Sequence, residues 1–79
     1  MTNRINLKDA DSGSVIAMDV EDNTLMEEII ESAAAFWNKD PGAYVVRSGD
    51  RILGGSTTYG ESLLASGETL ELIPDPEGG

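Results

Sequence analysis

"AMDVEDNTLMEEIIESAAAFW", residues 17–37, decides the fold, because its hydrophobic period changes in the middle. Up to Val20 the apolar and polar residues alternate. Ile16, Met18 and Val20 fall on one side and Ala17 and Asp19 on the other, which is the pattern of a half-buried strand. From Met26 the spacing becomes three and four. Met26, Ile29, Ile30, Ala33 and Trp37 share a narrow arc of a helical wheel, flanked by Leu25 and Phe36. Glu27, Glu28 and Glu31 take the opposite side, near the helix start, where the macrodipole favours negative charge. Thr24, with Glu27 three residues on, has capping-box spacing and is expected to be the N-cap. At the far end the helix is expected to fray over Asn38 to Asp40. Pro41 disfavours helical geometry in the residue before it, and Gly42 follows.

The flanks supply what the helix must cover. In "RINLKDADSGSVIAMDV", residues 4–20, Ile5 and Leu7 alternate with polar neighbours, "DADSGS" offers turn residues, and the strand of the opening segment follows, so a hairpin is expected. After the helix, "AYVVRSGDRILGG" reads as a third strand, a turn at Ser48-Gly49-Asp50 and a short fourth strand ending at Gly54-Gly55. "STTYGESLLASGE" is irregular, with Leu63 and Leu64 expected to plug an edge of the core. In "ETLELI" Leu70 and Leu72 face one way and Glu71 and Ile73 the other. Pro74 and Pro76 then end the ladder, since neither has an N–H to donate. Hairpin, helix, two short strands and a final strand make an α+β domain with one helix on one face of a mixed sheet of four to five strands. The expected domain covers residues 1–73, with 74–79 as a flexible C-terminal tail.

Composition closes several routes to function. The 79 residues suffice for one compact domain. Without cysteine or histidine the chain has no disulfide, no cysteine nucleophile, no thiolate zinc site and no imidazole base. No nucleophile–base pair is visible, so an enzyme is not expected. A net charge of −10 repels nucleic acid and anionic membranes. Either a solvated surface suited to high intracellular salt or steering towards a basic partner accounts for that acidity. No stretch is long enough to span a membrane and the start is polar, so the expected location is cytoplasmic and the expected state a monomer. The carboxylates of "DAD" and "EDN" lack the spacing of a calcium loop, and the glycines at 49, 54, 55 and 60 form no phosphate-binding motif. Neither a metal nor a cofactor is expected. Trp37 on the apolar arc reads as packing, and the few aromatic residues make no stacking platform for nucleic acid.

The order of elements, with Gly78-Gly79 roughly six residues past the last strand, resembles ubiquitin and the wider ubiquitin-like β-grasp group. "AMDVEDNTLMEEI" is similar to that family's second strand running into its helix, "SGDRI" to its strand-turn-strand, "YGESLLASGE" to its short irregular helix and "ETLELI" to its last strand. Among relatives the chain resembles the small archaeal modifier proteins, which are acidic in salt-loving archaea and finish on Gly-Gly. The resemblance implies a role for the tail. An adenylating enzyme would activate the carboxylate of Gly79, and the acyl group would pass to a lysine of a target protein or accept sulfur as a thiocarboxylate. Glycine suits a narrow channel and an uncrowded carbonyl, because it carries no β-carbon. The chain would then be a substrate of its partner enzyme. Ubiquitin's tail is basic before its glycines whereas this one reads "PDPEGG", so a basic groove is expected in any enzyme that reads it.

The resemblance also implies a partner-binding patch on the sheet face away from the helix, where Val45 and Ile73 are expected to be exposed and adjacent. The family's third patch residue has no clear counterpart, since the first hairpin loop offers only Ala10. Lys8 and Lys39 are the lysines that could accept a second modifier; Lys39, just past the helix, is expected to be exposed and the better acceptor. Three readings therefore stand: a covalent modifier, a sulfur carrier using the same activation, and a non-covalent β-grasp interaction module with an inert tail.

Overall fold

A computed structural model of the protein describes residues 2–64 and 67–76. Five strands form one mixed sheet: β1 Thr2–Asp9, β2 Val15–Glu21, β3 Tyr44–Ser48, β4 Arg51–Leu53 and β5 Thr69–Pro74. Their order across the sheet is β2-β1-β5-β3-β4, with β1 and β5 parallel at its centre and the other pairs antiparallel. The single α-helix, α1, runs from Met26 to Trp37, and a 3-10 turn at Pro41–Ala43 leads into β3.

Period explains the layers. In β1, Ile5 and Leu7 are fully buried while Arg4 and Lys8 are exposed. In β5, Leu70 and Leu72 are fully buried and Glu71 and Ile73 lie on the other face, as the alternation predicts. From α1, Met26, Ile29, Ile30, Ala33 and Ala34 are buried against the sheet, with Trp37 packed at the margin. Full burial of each large aliphatic side chain contributes about 1.5–3 kcal/mol. Val20, Val46, Leu53 and Tyr59 complete the core.

Both helix ends differ from expectation. The helix starts one residue later than the capping-box spacing implies: Leu25 is the N-cap, and its N–H donates to Glu28 Oε1 at 2.9 Å. Thr24 instead closes the turn before the helix, its Oγ1 accepting from Glu21 N. At the other end the chain does not fray. Asn38 takes a left-handed conformation at φ 58°, and Lys39 N donates to Ala34 O at 2.8 Å, a C-terminal cap without glycine.

The irregular segment before β5 also departs from its reading. Leu63 is 87% exposed, at φ 59°, so it plugs nothing; Leu64 does pack against the core. The plug on this side is Tyr59, whose hydroxyl donates to Leu64 O and whose N–H donates to Thr24 O. Gly60 sits against the turn before the helix, where an added Cβ would meet Asp22 O at 3.1 Å.

Candidate interaction site at the tail end of the sheet

The outer face of the sheet can be assembled from the registers. Lys8 lies between Val15 on β2 and Glu71 on β5, and Glu71 lies opposite Arg47 on β3, which lies opposite Ile52 on β4. One row thus reads Val15–Lys8–Glu71–Arg47–Ile52. Arg47 Nη2 donates to Glu71 Oε1 at 2.6 Å. That hydrogen bond, with the charges of Arg47 and Lys8, holds the Glu71 carboxyl below its usual range against the loss of hydration. Two residues along, Ile73 lies opposite Val45. Both are half-buried, so the expected pair is adjacent but less exposed than anticipated. Ala10 borders them, its N–H bonded to Leu72 O.

Charge is distributed unevenly in space although it is spread along the sequence. Arg4, Lys8 and Arg47 on the outer sheet face stand with Asp19, Glu21 and Glu71, three cations to three carboxylates. Arg4 Nε reaches Asp19 Oδ1 at 3.1 Å. The net charge of −10 therefore belongs to the rest of the chain. On the sheet face a partner meets balanced charge and apolar side chains together.

The chain leaves this face at one end. Pro74 pairs with Tyr44, and Asp75 N donates to Ala43 O at 2.9 Å, so the strand is tethered one residue past its last rung. Close by is a network that the sequence does not announce. Asp9 is buried, and its carboxylate accepts from Ser12 Oγ at 2.9 Å and from Asp11 N at 3.2 Å. Lys39 Nζ lies 3.5 Å from Asp9 Oδ2 and 3.2 Å from Asp11 Oδ2, and 4.9 Å from the centre of the Tyr44 ring. Burial would raise the Asp9 carboxyl, but the hydrogen bonds from Ser12 and Asp11 and the Lys39 charge outweigh it and hold it below the carboxylate range. The Asp11 hydrogen bond, followed by Tyr44 and Asp9, raises the Lys39 ammonium against its loss of hydration.

This network corrects the expectation for Lys39. Its side chain is only 18% exposed, because hairpin loop, helix end and β3 converge on it. Lys8 is the exposed lysine. The carboxylates of "DAD" are engaged by Lys39 and by the Asp11 N–H. Gly78 and Gly79 lie outside the described residues. No helix of the described residues is long and apolar enough to cross a membrane.

A mixed sheet in the order β2-β1-β5-β3-β4 with one helix across its inner face is a ubiquitin-like β-grasp, and that is the fold of this chain. Comparison with solved structures bears on the same point. Over the full length of both chains it is similar to a ubiquitin of Caldiarchaeum subterraneum, with 21% identity and a TM-score of 0.86. A protein designed de novo on ubiquitin matches with 25% identity and a TM-score of 0.84, over 96% of this chain and 92% of that one. A chain in the structure of a pParkin–pUb–UbcH7 complex matches with 19% identity and a TM-score of 0.84, over 94% of this chain and 23% of that one. No family model matches the sequence, and no curated protein sequence does.

Proposed function

We propose that the chain is a ubiquitin-like protein modifier. The carboxylate of Gly79, free or released by cleavage, attacks the α-phosphate of ATP on an activating enzyme. Pyrophosphate leaves, and the acyl group then passes to the amine of a target lysine. The observation that carries the reading is the Gly78-Gly79 pair placed within five residues of Pro74, the last residue of β5 in a ubiquitin-like fold. The tether from Asp75 to Ala43 supports it, because it fixes where the tail starts relative to the folded domain. The acidic residues at the surface of that end, Asp11, Asp40 and Asp75, favour a partner with a basic groove. The balanced sheet face around Val45 and Ile73 is the docking surface in this reading, and target proteins and the activating enzyme are the partners.

Intact mass spectrometry of the chain recovered from its native cells, with and without Gly78-Gly79, tests this. Isopeptide-linked adducts that vanish with the glycines are expected. A discrete thiocarboxylate at Gly79 with few adducts would replace the modifier by a sulfur carrier, and an unmodified chain would leave a non-covalent interaction module.

A further inference from the structure

The two edges of the sheet are built differently. On one side the sheet ends at β4, of three residues, and on the other at β2, of seven. Edge strands are commonly blunted by shortness, bulges, proline or charge. The β1–β2 register runs from Lys8–Val15 to Thr2–Glu21 without a skip, so β2 has no bulge. It contains no proline, and Val15-Ile16-Ala17-Met18 is uncharged. Main-chain groups on an antiparallel strand alternate in direction. Asp9 N donates to Ser14 O, and the register carries that direction on, turning Ile16, Met18 and Val20 towards β1. Val15, Ala17, Asp19 and Glu21 therefore point their N–H and C=O groups outward. Thr24 takes up both groups of Glu21. Those of Val15, Ala17 and Asp19 meet no backbone partner among the described residues.

Apolar side chains line the inner side of this edge. Ile16 and Met18 are half-buried at the margin of the core, and Phe36 on α1 is 68% exposed. Glu27 marks the flank of α1 next to Gly55, where an added Cβ would meet Glu27 Cβ at 3.4 Å. Phe36 is about 180° round the helix from Glu27, on the flank towards β2. Lys39, reaching Asp11, brings the end of α1 beside the loop that leads into β2. The two charges of the strand are already engaged, Asp19 with Arg4 at 3.1 Å and Glu21 with Thr2 Oγ1 at 2.8 Å.

We propose that β2 is the seam of a homodimer, in which a second copy of this chain adds its own β2 antiparallel across a two-fold axis at Ala17. The edge itself selects that register. An axis at Ala17 pairs Val15 with the second copy's Asp19, Ala17 with Ala17 and Asp19 with Val15. Every free outward group then finds a partner, about six main-chain hydrogen bonds in all. No charge faces its like, and small side chains meet on the axis. An axis at Val15 or at Asp19 would oppose aspartates, Asp11 with Asp19 or Asp19 with itself. An axis at Ile16 sets Asp19 against Gly13 in the hairpin loop, and one at Met18 sets Val15 against Glu21, whose groups Thr24 holds. In the selected register Ile16 lies opposite the second copy's Met18 on the side of the sheet that carries Phe36. The pairing is isologous and closes on itself. The net charge of −10 on each copy opposes it, so the chain is a monomer at low salt and a dimer near 1 M, where the screening length falls to about 3 Å. Nothing in this pairing depends on the tail, and the outer face with Val45 and Ile73 stays open in the dimer.

The test is sedimentation velocity of the purified full chain in about 0.1 M and about 1 M potassium chloride. The mass of a single chain is expected at the lower salt and a concentration-dependent doubling at the higher, with a dissociation constant at least about tenfold lower. Ala17→Asp, an exposed substitution that places like charges on the axis, is expected to abolish the doubling. Ile52→Asp, on the opposite edge, is expected to leave it unchanged. Hydrogen exchange of the parent is a second readout that relies on no variant. At about 1 M salt the Val15, Ala17 and Asp19 amides are expected to exchange at least about tenfold more slowly in concentrated than in dilute protein. A single-chain mass at both salts would overturn the proposal. So would a dimer that survives Ala17→Asp or leaves those amides unprotected, because it would use another surface.

Discussion

Truncating the two sides of β5 separates its faces by energy. Leu70 is fully buried, beside Leu7 of the parallel neighbour β1, whereas Ile73 is half-buried on the outer face opposite Val45. Leu70→Ala removes three carbon atoms of a fully buried side chain. A cost of about 3–5 kcal/mol follows from the lost transfer energy and the cavity left behind. Ile73→Ala leaves no enclosed cavity and forfeits part of a side chain already partly in water, at about 1–2 kcal/mol. A domain of this size has a total stability of about 4–12 kcal/mol, so the first variant approaches the threshold and the second does not. In thermal unfolding, at about 4–8 °C per kcal/mol, the Leu70 variant is expected to melt at least about 12 °C below the parent, and the Ile73 variant within about 4–16 °C of it. Urea titration checks the same order, with an unchanged slope as the sign that the denatured state is unaltered. Equal costs for the two variants, or a larger one for Ile73, would refute the face assignment and with it the placement of the proposed docking surface.

Two further outcomes follow from particular residues. Leu63 holds a left-handed backbone at φ 59° while 87% exposed, so Leu63→Asn gives up little burial and suits the conformation better. It is expected to stabilise the fold by about 0.5–1 kcal/mol in urea titration, and a loss of that size would show the leucine to be packed. The Asp9, Glu61 and Glu71 carboxyls are all held below their ordinary values in the folded chain, and the unfolded chain binds protons first as pH falls. Their stabilisation is therefore complete above the unfolded carboxylate range and is lost as pH falls through the folded values. Urea midpoints measured in about 1 M salt, where self-repulsion is screened, are expected to fall between about pH 5 and pH 2. Asp9→Asn is expected to flatten that fall, and a profile identical to the parent's would remove Asp9 from the account.

Local signals carried most of the fold and little of the site. The switch from alternation to helical spacing between Val20 and Met26 located β2 and α1, because each period is a property of neighbouring residues and a single buried face. The alternation of Leu70, Glu71, Leu72 and Ile73 likewise sorted β5 onto its two faces. Capping was legible only approximately. Thr24–Glu27 and Leu25–Glu28 present glutamates at the same spacing, and the choice fell to the bridge that pairs Leu25 with Thr58 and the bond from Met26 N to Thr57 O, contacts more than thirty residues distant. Leu63 and Tyr59 show the same limit. Hydrophobicity favours burying both, but the turn points one outward and the bonds to Thr24 O and Leu64 O draw the other in. The Lys39 network lay furthest from view. A lysine after a helix and an aspartate-rich hairpin loop each read as solvated, and only the packing of the helix end over the first hairpin brings Asp9, Asp11, Tyr44 and Lys39 together. That convergence reverses the ranking of the two lysines. Position along the chain favoured Lys39, whereas the folded surface leaves Lys8 as the exposed amine, on the balanced face beside Val45 and Ile73.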